Sequence, residues 1–243
     1  MSPERGHDRL LVALDVSSGE QALSLAAALR DVVGGVKVGS RLFTLEGPTL
    51  VRRLVDGGAK VFLDLKFHDI PNTVAQAVEA AARTGAWMIN VHAAGGSPMM
   101  RAAAQAAAAA AAGTGRPSPH VIAVTVLTSM DDVTLRESGV SRPLDEHVLA
   151  LAGMAQAAGM NGVVASARET KAIRAQCGNG FLIVTPGIRG AAAGSEKDDQ
   201  ARTMGPAEAV RAGASYIVVG RPIIAAASPR EAAEAIAREL ASV

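Results

Sequence analysis

Short runs of β-branched and other aliphatic residues recur along the chain, each followed by a longer, alanine-rich stretch. The runs are 10–15 (LLVALD), 35–39 (GVKVG), 60–66 (KVFLDLK), 87–93 (WMINVHA), 120–128 (HVIAVTVLT), 162–166 (GVVAS), 181–187 (FLIVTPG) and 216–220 (YIVVG). Within them apolar residues stand at almost every position rather than at every second one, the pattern of a sheet buried on both faces. The intervening stretches, such as 20–32, 71–84 and 144–159, carry helical patterning, and 102–113 is a strong helix former that ends at Gly113. Eight strands alternating with helices predict an α/β fold, a (β/α)₈ TIM barrel forming one domain over residues 1–243. An open, doubly wound sheet is the alternative, because the strand count favours closure without proving it.

One segment breaks the alternation. Residues 190–205, GAAAGSEKDDQARTMG, are polar, glycine-rich and long for a loop in a compact domain. Two readings stand: a mobile lid spanning about 189–205, or a surface insertion without a role in chemistry.

Composition narrows the class. The chain has 243 residues, 49% of them apolar but only 2% aromatic, so Val, Ile, Leu and Ala must fill the core. A formal net charge of +1, with no Lys/Arg block, excludes a global field that would attract nucleic acid. One Trp and one Tyr are too few for stacking platforms on single strands. Cys177 is the only cysteine, so no intramolecular disulfide can form. The polar start, MSPERGHDRL, does not resemble a signal peptide, and the apolar runs are too short or too alanine-rich to span a bilayer. These features predict a soluble, cytoplasmic protein without nucleic-acid or membrane partners.

In a parallel barrel, chemistry sits where the strands end. Polar residues cluster at those ends: Asp15, Lys37, Asp64, Lys66 and, just beyond, Asp69; Asn90 and His92; Thr128; Ser166; Arg189; Arg221. Each alone reads more simply as a cap or a turn residue, but their occurrence on one rim points to a site. Asn90 and His92 read as packing groups or as supports behind the site, and His68, His120 and His147 show no spacing that suggests a metal centre.

The stretch FLDLKFHDIPNTV, 62–74, is the densest of these clusters. Two apart on a strand, Asp64 and Lys66 point to the same side, about 6–7 Å apart along the chain, and Leu63 and Leu65 point away. Burying two ions costs several kcal/mol each unless they are paired, which predicts a ladder of Lys37, Asp64, Lys66 and Asp69. Flanking carboxylates would hold Lys66 as an ammonium, suited to stabilising an anion and donating a proton, whereas a Schiff-base lysine needs the free amine. Asp64 would repel a substrate carboxylate. Separately, VTPGIRG (184–190) and VVGRPI (218–223) are strand-to-loop turns with Gly and Arg, a pattern that suits a phosphate.

These motifs together resemble the orotidine 5′-phosphate decarboxylase family in its bacterial form. The resemblance is carried by LVALDV (11–16), VKVG (36–39), FLDLKFHDIPNTV (62–74), VTVLTS (124–129), TPGIR (185–189) and VVGRPI (218–223), and extends over essentially the whole chain. It implies cofactor-free decarboxylation of orotidine 5′-phosphate to UMP and CO₂, with no metal. Lys66 would protonate the C6 carbanion, Asp64 would destabilise the substrate carboxylate, and Lys37 and Asp15 would contact the ribose and hold the network. It also implies a homodimer in which Asp69 and Thr73 serve the neighbour's site. Thr128 would bind the pyrimidine, and Arg189, Gln200, Gly220 and Arg221 the phosphate. The segment from Arg189 to Gln200 is slightly longer than the family pattern. A rival with the same D-x-K-x-x-D core, the 3-hexulose-6-phosphate synthase type, would use Mg²⁺ and a Glu where this chain has Lys37. A second rival is a nucleotide-binding protein without catalysis.

Overall fold

The computed structural model describes residues 6–112, 117–188 and 204–243. Eight parallel strands close on themselves in sequence order: β1 Leu10–Ala13, β2 Gly35–Gly39, β3 Val61–Phe67, β4 Met88–His92, β5 His120–Val124, β6 Gly162–Val164, β7 Leu182–Pro186 and β8 Tyr216–Val219. The decisive contact is β8 against β1, where Leu10 pairs with Ile217 and Val12 with Val219. It excludes the open sheet and makes the fold a (β/α)₈ barrel.

The continuous apolar runs follow from two separate cores. Alternate strand residues such as Leu10, Val12, Val36, Leu63, Ile89 and Ile183 face outward and pack under the helices. Their neighbours Leu11, Phe62, Met88, Ile122, Val184 and Val218 fill the barrel interior. A strand buried on both faces has no polar alternation to show. Close approach also limits side-chain size: a Cβ on Gly162 would fall 2.2 Å from the Leu182 carbonyl oxygen, so only glycine lets β6 lie this near β7.

The helices begin where local chemistry starts them. Ser18 caps Gly19–Leu29, Asp131 caps Asp132–Glu137 and Ser228 caps Pro229–Leu240, each accepting a backbone N–H of the first turn. Pro71, Pro206 and Pro229 occupy first-turn positions, where the missing N–H costs nothing. The helix Ser40–Asp56 breaks at Gly47, φ 66, immediately before Pro48.

Several elements are shorter than their sequence patterns. β1 stops at Ala13 rather than residue 15, β5 at Val124 rather than 128, and β6 at Val164 rather than 166. The ladders persist for only one more bond, Leu14 N to Lys37 O, Thr125 N to Val164 O and Ala165 N to Val184 O. Beyond that point the chain turns to aim polar groups at the barrel mouth. The helices expected over 20–32, 71–84 and 144–159 run Gly19–Leu29, Pro71–Ala82 and Leu144–Ala157. The alanine-rich helix begins earlier, at Gly96, and ends at Ala111, while Gly113 lies outside the described residues. Among the described residues no helix is long and apolar enough to cross a membrane.

Candidate active site

The strand ends open into a cavity of about 420 Å³. Of the residues expected there, Asp15, Lys37, Asp64, Lys66, Thr128, Gly220 and Arg221 line it, against apolar walls that include Phe62, Val124 and Val218. Arg189 and Gln200, and most of the expected lid, lie outside the described residues. The chain leaves toward them and returns at one place, since Ile188 and Met204 form an isolated parallel bridge. Gly187, at φ 77, supplies the left-handed turn that ends β7.

Charge is paired along one side of the mouth. Lys66 Nζ donates to Asp64 Oδ1 at 2.6 Å, Lys37 Nζ lies 3.3 Å from Asp64 Oδ2, and the same ammonium is 3.6 Å from Asp15 Oδ1. The Asp64 and Lys37 side chains are only 13% and 12% exposed, whereas Asp15 reaches 60% and meets solvent. Gly39 leaves room for this network: a Cβ there would sit 3.2 Å from Lys37 Nζ. Burial alone would raise the Asp64 pKa, but the Lys37 and Lys66 ammoniums, with hydrogen bonds from Lys66 and Asn90, outweigh it and hold the carboxyl below its ordinary range. Asp64 is therefore an anion at neutral pH.

Two sequence expectations need correction here, and the structure decides a third. First, β3 is not a regular strand through Lys66. Its register against β4 shifts between Leu63 and Phe67, and Lys66 adopts φ 53, the only positive φ outside glycine among the described residues. The charges share the cavity because the strand bulges, not because it alternates. Such a backbone costs on the order of 1–3 kcal/mol and persists only where surrounding contacts enforce it.

Second, within the subunit the ladder runs Asp15, Lys37, Asp64, Lys66, and Asp69 does not reach it from its own chain. Asp69 lies past the end of β3 on exposed chain, its carboxylate accepting the neighbouring Ile70 N–H at 2.6 Å, and no ion pair joins it to Lys66. Thr73 is exposed on the first turn of the helix Pro71–Ala82 and does not line the cavity. Ile70 between them is 66% exposed.

Third, of the two readings of Asn90 the supporting one holds. Asn90 is fully buried, its Nδ2 donates to Asp64 Oδ1 at 2.7 Å, and its Oδ1 accepts the Lys66 backbone N–H at 2.8 Å. A buried ion pair needs donors for its remaining lone pairs, and an amide on the neighbouring strand was the one sequence signal for this role. His92 stacks at a tilt on His68, with 5.4 Å between ring centres. Burial, then His68 and Lys66, push its pKa below the ordinary imidazole value. Ser166 does keep the simpler role: buried, it accepts the Arg168 N–H at 3.3 Å. Among the described residues no three His, Cys, Asp or Glu side chains are grouped to hold a metal ion.

The arrangement can stabilise a negative charge forming near Lys66, donate a proton there, and keep a second anion, Asp64, beside the reacting group. A model of the Orotidine 5'-phosphate decarboxylase / HUMPS family matches residues 8–236. The orotidine 5'-phosphate decarboxylase of Alkalilimnicola ehrlichii is 53% identical over 236 residues, covering 97% of each chain. That of Moorella thermoacetica is 53% identical over 237 residues, covering 97% of this chain and 93% of its own. The crystal structure of orotidine 5'-phosphate decarboxylase from Lactobacillus acidophilus superposes with a TM-score of 0.84 at 41% identity, covering 95% of this chain and 98% of that one. With a match of this extent and identities of this size, the chain belongs to the orotidine 5'-phosphate decarboxylase / HUMPS family.

Proposed function

We propose that this protein decarboxylates orotidine 5′-phosphate to UMP and CO₂ without a metal or organic cofactor. The observation that carries this reading is the buried chain of charges from Lys37 through Asp64 to Lys66 at the cavity wall. The substrate's phosphate would lie at the β7–β8 side, against Arg221 and the Gly220 backbone. Its pyrimidine would extend across the mouth past Thr128, with C6 over Lys66. The substrate carboxylate then faces Asp64, an anion that cannot relieve the repulsion by taking a proton at neutral pH. When the C6–carboxylate bond breaks, CO₂ leaves and the electron pair stays on C6. The Lys66 ammonium stabilises that pair and then transfers a proton to C6, and solvent restores the proton on Lys66. Preorganised charge of this kind stabilises the transition state without reorganisation at the moment of reaction.

The exposed stretch from Asp69 to Thr73, with the apolar Ile70 within it, supports a homodimer in which these residues enter the neighbour's site. A synthase of the Mg²⁺-dependent type is disfavoured by Lys37: an ammonium 3.3 Å from Asp64 opposes a divalent cation at the place where one would need a carboxylate. The test is an ultraviolet absorbance assay of the purified protein with orotidine 5′-phosphate in the presence of EDTA. Conversion to UMP at a rate unchanged by EDTA is expected. Binding of UMP with no conversion would instead make the protein a non-catalytic binder, and activity lost to EDTA and restored by Mg²⁺ would favour the synthase chemistry.

A further inference from the structure

β3 and β4 leave register at one place only. Leu63 pairs with Ile89 and Phe67 with Val91, so the residues 64–66 of β3 stand opposite the single residue Asn90. The bulge takes the Lys66 N–H away from the backbone ladder, and the Asn90 side chain replaces the lost acceptor at 2.8 Å. The other end of the same planar amide donates at 2.7 Å to Asp64 Oδ1, the oxygen that also accepts Lys66 Nζ at 2.6 Å. These partners define the amide's orientation. Turned over, it would set NH₂ against N–H and a carbonyl oxygen against a carboxylate. Asn90 is fully buried and does not line the cavity, so it can act only through the two residues it holds.

We propose that Asn90 is a positioning residue for the decarboxylation: it clamps the bulged Lys66 backbone to the Asp64 carboxylate and so sets where the ammonium stands in the cavity. Three observations converge on it: the register shift opposite Asn90, the left-handed backbone at Lys66, and an amide whose two ends each bind one member of the catalytic pair. An aspartate there would keep the acceptor for the Lys66 N–H but lose the donor to Asp64. A leucine would leave the Lys66 N–H without its acceptor and Asp64 with the two ammoniums alone. The inference rests on the decarboxylase reading, and wild-type protein assayed in parallel separates the two.

The experiment measures kcat, KM and UMP affinity for Asn90→Ala and Asn90→Asp against wild type, across pH 5 to 8. For Asn90→Ala, kcat falls by about 100-fold, the cost of a misplaced reacting group, while KM and UMP affinity stay within about threefold. Asn90→Asp carries a more specific signature. The groups that would face the new carboxylate are Asp64 and Lys66 from β3, with Lys37 from β2 beyond Asp64 and the His92–His68 pair on the rim. Two carboxylates at hydrogen-bond distance cannot both ionise freely, so they share one proton up to a raised apparent pKa. Below that pH the shared proton replaces the amide N–H that Asp64 lost, and above it the donor is gone. The ratio of Asn90→Asp to wild-type kcat therefore rises as pH falls. A kcat for Asn90→Ala within about threefold of wild type overturns the proposal, as does a parallel collapse of kcat and UMP affinity, which marks a merely structural role. If Asn90→Ala does not fold, the Asn90→Asp ratio decides alone, and a flat ratio across pH overturns the proposal. Absence of turnover in the wild type would instead remove the decarboxylase reading itself.

Discussion

The two ends of the cavity are built by opposite means. At the end formed by β1 to β4, Asp15, Lys37, Lys66 and Asn90 pair with Asp64 or with one another, with Asp64, Lys37 and Asn90 largely buried, and Lys66 holds a left-handed backbone. At the β7–β8 end the chain offers a Gly187 turn, the backbone around Gly220 and an exposed Arg221 at the start of a short helix. The first arrangement costs desolvation and strain and gives charges a place they cannot leave. The second costs little and suits a ligand group that brings its own strong charge. The difference teaches how the work divides: a reacting carbanion needs charge in place before it forms, whereas a phosphate can be gripped by groups that adjust to it. Under the proposed function, binding energy gathered at the second end would drive the ligand carboxylate against Asp64 at the first.

That division can be broken by substitution. The largest effect belongs to Lys66→Ala, which should lower kcat by at least about 10³-fold, or about 4 kcal/mol of barrier; a kcat within about tenfold, about 1.4 kcal/mol, would remove Lys66 from the chemistry. Next, if Asp69 serves the neighbouring subunit, inactive Asp69→Ala and Lys66→Ala proteins should regain up to about a quarter of wild-type sites when equal amounts exchange subunits, since half the dimers are mixed and each has one intact site. No recovery after demonstrated exchange would place Asp69 in its own subunit's site. Arg221→Ala should raise KM by about 10- to 100-fold with a smaller change in kcat, as expected for a lost charge-assisted phosphate contact; an unchanged KM would move the phosphate elsewhere.

The smallest effect concerns stability. The folded-state pKa of Asp64 is depressed, so its ion pairs contribute stability that is fully present above its unfolded value and lost as pH falls through the lower folded value. The unfolding free-energy difference between wild type and Asp64→Asn should accordingly narrow below about pH 4. A difference constant through the acid range would show that Asp64 is not held as an anion.

Much of the barrel was legible because its strands are buried on both faces and recur between helical stretches. The rim was legible too: Asp15, Lys37, Asp64, Lys66, Thr128, Gly220 and Arg221 all come to one cavity. What sequence periodicity could not show was the departure from it. A regular strand would put Asp64 and Lys66 on one side by alternation; the bulge does it differently, through contacts with Asn90, which lies 24 residues from Lys66 along the chain. Asp69, near in sequence, does not reach the ladder within its own subunit, because the chain after Phe67 is exposed, and Asp15, from another strand end, lies beside Lys37.

The central claim is that chemistry and anchoring are separated across the cavity, and UMP binding to the Lys66→Ala and Arg221→Ala proteins, measured by calorimetry, tests it most directly. UMP lacks the carboxylate but keeps the phosphate. The account predicts a UMP dissociation constant within about threefold of wild type for Lys66→Ala and weakened by about tenfold or more for Arg221→Ala. Equal losses in the two variants, or a greater loss in Lys66→Ala, would contradict it.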